Sequence, residues 1–249
     1  MIHHEANAVE AIRVLTLEAE SGPRPVEERE RILFHLSRHC RIAALSALLA
    51  RADVVSFRER LRLSGTWRLN LLRDRAAQER PFSRFTGAAQ IAPLCDALAA
   101  GEDTLAQDIA RASAPEWLAR KEFEDDFYYG RLLGGFALRE PGWEAVAAPL
   151  LSGLLRVMQD ETAPRVRVCR ALLAHEPDAF VAALLELLER HGAWFRARAG
   201  TLQAREPAFE LERSVCVEGL ALLHLASRHG LSVDPAAEYP LLPDIARVG

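Results

Sequence analysis

The sequence contains no stretch that reads as the run of about 20 apolar residues a membrane span requires. Its opening, MIHHEANAVEAIRVL, carries acids and lacks the apolar core of a secretion signal. Both absences lead to the expectation of a cytoplasmic protein with no membrane partner. Cysteine is scarce and scattered: Cys40, Cys95, Cys169 and Cys216 form no C-x-x-C pair. That argues against a zinc site and a disulfide framework and leaves them as reduced core thiols. Lysine is nearly missing, since Lys121 is the only one among 31 basic residues, a bias that discriminates no function. Neither sign of charge prevails, because 31 basic residues meet 35 acidic ones for a net charge of −4. No global field therefore draws the chain to nucleic acid or to an anionic surface. Strand patterning is absent too: β-branched and aromatic residues never alternate with polar ones over a useful length.

What is there is helical. Hydrophobic residues make up 50% of the 249, enough for a core, and Ala, Leu, Arg and Glu recur at helical spacing. A first helix is expected over Glu5 to Glu20, closed by Ser21-Gly22-Pro23. Pro25 opens a second, whose stripe of Ile32, Leu33, Leu36, Cys40, Ala43 and Ala44 runs on to Ala52. A third spans Val54 to Glu79, with Gly65 as its weak point. The segments PLCDALAAGEDTLAQDIARAS and RVCRALLAHEPDAFVAALLELLERH each read as helix, short polar turn, helix. Pro141-Gly142 and Pro164 mark joints, and a long last helix runs from Phe209 to Arg228 before His229-Gly230 stops it. The tail EYPLLPDIARVG, interrupted by Pro240 and Pro243, packs as an extended apolar strap, and Trp194 and Phe195 read as core anchors. The expectation is an all-α fold of antiparallel helical hairpins, stacked in one irregular, repeat-like array or bundle. It forms a single domain over 1–249, within which 1–100 is separable as an N-terminal helical subdomain.

Catalytic motifs are missing as well. His35 and His39 stand four apart, but the intervening HLSRH lacks the glutamate of a zinc protease, so they read as packing or surface histidines. No serine sits in a nucleophile elbow, and no phosphate loop or dinucleotide fingerprint is present. The expectation is a protein that is not an enzyme, with no catalytic residues, no metal and no cofactor. Residues 51–84 hold nine arginines against four acids, near Phe57, Trp67, Phe82 and Phe85. Nucleic-acid contact is one reading of that stretch. Pairing with acidic helices of the same chain is the other, and the one adopted, so no nucleic-acid partner is expected.

The least ordinary stretch is KEFEDDFYYGRLLGGFAL, where four acids and four aromatics share the eight positions from Glu122 to Tyr129. Helical spacing places Phe123, Phe127, Gly130 and Gly134 on a core face, with the glycines admitting a close neighbour. Glu122, Asp125, Asp126 and Tyr129 cluster opposite, with Glu124 and Tyr128 on an adjacent stripe and Arg131 near enough to pair. Over residues 101–126 eight acids face three bases, so a basic partner would be attracted. Three readings stand: internal ion pairs, an interaction surface, or a carboxylate site for metal or acid–base work.

EFEDDFYYGRLL, AHEPDAFVAALLELLERHGAWF and EGLALLHLASRHGLSVDPAAEYPLLPDI together resemble the immunity protein 49 family of bacterial polymorphic-toxin immunity proteins, over residues 101–249. The resemblance implies an all-helical antidote that binds and neutralises a cognate toxin in the cytoplasm by stoichiometric inhibition. A toxin with a basic surface suits the charged patch. On that reading Glu122, Glu124, Asp125, Asp126, Tyr128 and Tyr129 are the toxin contacts. The alternative is a helical-repeat scaffold or adaptor without a toxin partner.

Overall fold

The computed structural model describes residues 2–22, 24–234 and 237–248. Pro23 of the first helix stop, Pro235 and Ala236 before the strap, and Gly249 at its end lie outside the described residues. Eleven α-helices and no strand occur among them. They are α1 Ile2–Glu20, α2 Val26–Arg51, α3 Val54–Ala77, α4 Ala92–Ala99, α5 Asp103–Ala112, α6 Glu124–Leu138, α7 Trp143–Met158, α8 Pro164–Ala174, α9 Pro177–Arg198, α10 Pro207–Ser214 and α11 Val217–Arg228. The all-α expectation holds.

Short links make the hairpins. Only Ala52 and Asp53 separate α2 from α3, and Asp53 caps α3 by accepting from Ser56 N at 3.0 Å. The pairs Ser37–Ser64 and Ala43–Arg60 step in opposite directions along the two helices, which fixes them antiparallel. Between α4 and α5, Gly101 takes φ +78° so that its own N–H and that of Glu102 close back on Leu98 O and Ala97 O at 3.0 and 2.9 Å. A residue without a Cβ adopts that turn most cheaply. α8 and α9 are joined by the same bonding pattern with His175 at φ 55°. Neighbours follow chain order from α1 to α9, and then the array folds back, with α10 on α2 and α9 and α11 on α4 and α9. A cluster of buried side chains runs from Ala8 to Ala246. All four cysteines are free and buried within the fold, and burial pushes the Cys40 and Cys216 thiols up to about 12.

The structure corrects several expectations. Gly65 is no weak point, because α3 continues through it. A Cβ there would sit 3.0 Å from Leu105 Cδ2 and 3.2 Å from Ala97 Cβ, so the glycine lets α4 and α5 approach closely. The last helix is two helices. The chain is extended at Val215 and Cys216, and Cys216 N donates to Leu241 O of the strap at 3.0 Å. The strap seals this break with Tyr239, Leu242 and Ala246 buried. Phe195 is buried, whereas Trp194 is 41% exposed. One helix, α2, is after all long and apolar enough to cross a membrane, yet 67% of its most apolar window is buried inside the protein, so that apolarity serves the core.

Five of the nine arginines of residues 51–84 pair with acids of the same chain. Arg73 pairs with Asp108, Arg80 with Glu30 and Asp74, and Arg84 with Glu27. Arg51 and Arg60 converge on Glu5 of α1, whose Oε1 accepts from them at 2.9 and 2.6 Å. Their guanidiniums, Arg51 foremost, hold the Glu5 carboxyl down at about 2. Because the folded pKa is depressed, this stabilisation is complete above the ordinary glutamate range and lost as pH falls toward 2. Glu5→Gln is therefore expected to cost about 1–2 kcal/mol at neutral pH. In urea unfolding, its deficit against the parent chain should shrink steadily on acidification. A pH-independent deficit would be the contrary result.

Four helices meet at a second polar cluster. Asp96 of α4, 1% exposed at its side chain, pairs with Arg41 of α2 and accepts from Ser64 Oγ of α3 at 2.6 Å. Arg41 Nε reaches Glu212 of α10 at 2.8 Å, and Ser37 Oγ lies 3.0 Å from Ser64 Oγ. Burial raises Asp96 to about 6 in spite of Arg41.

Candidate functional site

The acidic stretch opens α6. Phe123 is extended, at φ −75° and ψ 138°, and Glu124, Asp125 and Asp126 form the first helical turn, where the helix dipole favours anions. From Phe127 onward α6 is buried along most of its circumference, because α5 and α7 pack on different sides of it. Gly134 comes close to Ala110 of α5, where a Cβ would lie 3.2 Å from the Ala110 Cβ. This is the near approach that the glycine spacing implied.

Two-sided packing divides the six expected contact residues. Glu122 precedes the helix and turns inward. Its Oε1 accepts from Leu118 N and its Oε2 from Ala89 N, both at 2.9 Å, so it brackets two loops. Arg68, 2% exposed, secures the same loop by donating to Gly87 O at 2.7 Å and Thr86 O at 3.3 Å. Burial draws its guanidinium down to about 10 despite the charge of Glu122. Tyr129 is 0% exposed, so it lies under the surface and not on it. The Arg165 guanidinium stacks over its ring at 4.4 Å.

The other four stay at the surface. Glu124 pairs with Arg156 of α7, which also donates to Tyr128 Oη at 3.3 Å. Tyr128 packs against α7 at Gly153, which has no side chain to obstruct it. Asp126 accepts from Arg165 Nη1 at 2.8 Å, and Arg165 also forks onto Glu218 of α11 at 3.1 and 3.0 Å. Burial is the largest influence on Glu218 and would raise it, but the charge and hydrogen bonds of Arg165, with Tyr129 and His191, together outweigh it and leave the carboxyl below its ordinary value. For Asp126 burial prevails over Arg165, and the carboxyl sits above its ordinary value. Asp125 has no ion-pair partner among the described residues. Arg131 does not pair with this stripe at all.

Sequence spacing missed three aromatics here. Phe123, expected in the core, is 77% exposed because it stands at the helix cap, outside the helical wheel. Trp117 is 40% exposed and donates from Nε1 to Glu122 O at 3.2 Å, which places it beside Phe123. Beyond the Arg165–Glu218 pair opens a cavity of about 260 Å³, lined also by Met158, Arg190, His191 and Trp194. Trp194 carries Arg198 over its ring at 4.2 Å. Exposed tryptophan and phenylalanine beside unpaired carboxylate are the composition of a contact surface. The carboxylates form no grouping of three or more candidate metal ligands among the described residues.

Residues 40–245 match the family model described as immunity protein 49. No curated protein and no solved structure matches the chain.

Proposed function

Since the chain belongs to the immunity protein 49 family, we propose that it binds a cognate protein toxin and neutralises it stoichiometrically, in the cytoplasm, without catalysis or cofactor. The family match across residues 40–245 carries this reading. The start of α6 supports a location for the contact. Phe123 and Trp117 supply exposed aromatic area, Asp125 supplies a carboxylate with no partner of its own, and Glu124, Asp126 and Tyr128 form the charged rim. Glu122 and Tyr129 serve this surface from beneath, one by fixing its loops and the other by seating Arg165. A basic toxin patch meeting it would gain association rate from the field and residence time from the aromatics.

The test is co-expression with a candidate toxin from the same gene neighbourhood, followed by co-purification. Protection and a one-to-one complex are expected, and undiminished killing would remove the proposal. The double variant Phe123→Ala with Asp125→Lys should keep the helical circular dichroism while weakening the complex at least about tenfold. Parent-like affinity in that variant would move the contact to another face.

A further inference from the structure

Away from this face, a second cavity carries charge that the protein leaves unbalanced. It lies between α3, the end of α5 and α6, with a volume of about 590 Å³. Four guanidiniums line it, Arg73 and Arg75 from α3, Arg111 from α5 and Arg131 from α6, and Glu140 is the one carboxylate on its wall. Arg73 is held by Asp108 at 3.0 Å, and Arg111 is shared between Asp108 and Glu140, each at 3.5 Å.

The remaining two have no counterion among the described residues. Arg75 donates to Arg80 O at 2.8 Å and lies on the Phe82 ring at 3.8 Å, but meets no carboxylate. Arg131 makes no hydrogen bond or ion pair among the described residues, and its Nε is fully enclosed without an acceptor. Burial alone moves its guanidinium below its ordinary value, with no acid to oppose the shift. Arg41 and Arg165, by contrast, each have two carboxylates, Asp96 with Glu212 and Glu218 with Asp126, and Arg68 is held by three carbonyls. A desolvated cation without a partner costs stability, and an anion entering from outside would relieve that cost.

We propose that this cavity binds a small organic phosphate monoester. Arg131 and Arg75 would hold the phosphoryl group, and Phe82, Leu72 and Leu138 would face its apolar body. Two uncompensated cations call for a dianion, and a phosphate monoester carries roughly −1.5 to −2 at neutral pH, whereas a carboxylate carries one charge. The planar guanidinium fork matches phosphoryl oxygens. Arg111, in the last turn of α5, offsets the negative pole of that helix end. The volume falls within the usual range for small-molecule sites.

The experiment is calorimetric titration at fixed ionic strength with phenyl phosphate, inorganic phosphate and benzoate. Phenyl phosphate is expected to bind in the millimolar range or tighter, ahead of both inorganic phosphate and benzoate. Arg131→Gln should weaken it by about tenfold or more, while Arg13→Gln, at an exposed arginine of α1 outside the cavity, should leave it unchanged. Because Arg131 has no internal partner, Arg131→Gln should also match or exceed the parent in thermal stability in anion-free buffer. Absence of phenyl phosphate binding at millimolar concentration, undiminished binding by Arg131→Gln, or a benzoate affinity equal to that of phenyl phosphate would each overturn the assignment. So would a clear loss of stability in Arg131→Gln without anion, which would show the guanidinium to be structural.

Discussion

Arg165→Met is expected to lower the unfolding free energy by about 2–4 kcal/mol and the melting temperature by roughly 5–10 °C. The arginine is the common partner of Asp126, Glu218 and the Tyr129 ring. Methionine can fill part of its space but leaves Glu218, 19% exposed at its side chain, charged and unpaired. The remaining exposure places the cost toward the lower part of the range for broken buried pairs. The pH profile distinguishes this cause from simple loss of packing. In the parent chain Glu218 is depressed, so its stabilisation is present above the ordinary glutamate value and lost on acidification. In the variant the charge and hydrogen bonds of Arg165 no longer oppose burial, which raises the same carboxyl, so acidification stabilises the fold. The gap between the two proteins should therefore be widest near neutrality and narrow as pH falls. Adding Glu218→Gln to the variant should recover part of the loss, and a double variant no better than the single one would contradict the account.

At Asp96 the effect is of similar size with a different pH signature. Asp96→Ala is expected to cost about 3–5 kcal/mol, because Arg41 loses its buried partner and Ser64 its acceptor while α2, α3, α4 and α10 all meet at this point. Asp96→Asn keeps an acceptor for Ser64 and should cost less. The folded pKa of about 6 stands above the ordinary aspartate value of 3.8. The folded state therefore binds this proton more tightly than the unfolded chain does, and the parent gains stability from it as pH falls from about 7 toward 4. The asparagine variant has no such proton. Denaturant unfolding across that range should show the parent pulling away from Asp96→Asn as the medium is acidified, and parallel curves would refute the assignment.

The fold class was legible because Ala, Leu and Arg repeat at helical spacing and because Gly101, Pro164 and Pro240 punctuate the chain where the backbone turns. The break inside the last helix was not. Val215 and Cys216 carry no breaker signal, and the interruption depends on a hydrogen bond to Leu241, a contact that only the folded chain provides. The site divides in the same way. Acids at Glu124 to Asp126 announce a helix start, and they stand at one. A single-faced wheel, however, assigned Tyr129 outward and Phe123 inward, and both are reversed. α6 has neighbours on two sides, which encloses Tyr129, and Phe123 lies before the helix begins. Partner choice among arginines was equally hidden. Arg131 is close in sequence to Glu124 and Tyr128, but Arg156 of α7 takes both.

Lys121 is exposed, with its Nζ donating to Phe82 O at 3.2 Å, and it stands two residues before Phe123. Apart from the chain's α-amino group, it is the only aliphatic amine available to acylating reagents. Coupling the protein to a sensor surface through this lysine would thus plant it with the start of α6 against the support, and a fluorophore attached the same way would report from the edge of that face.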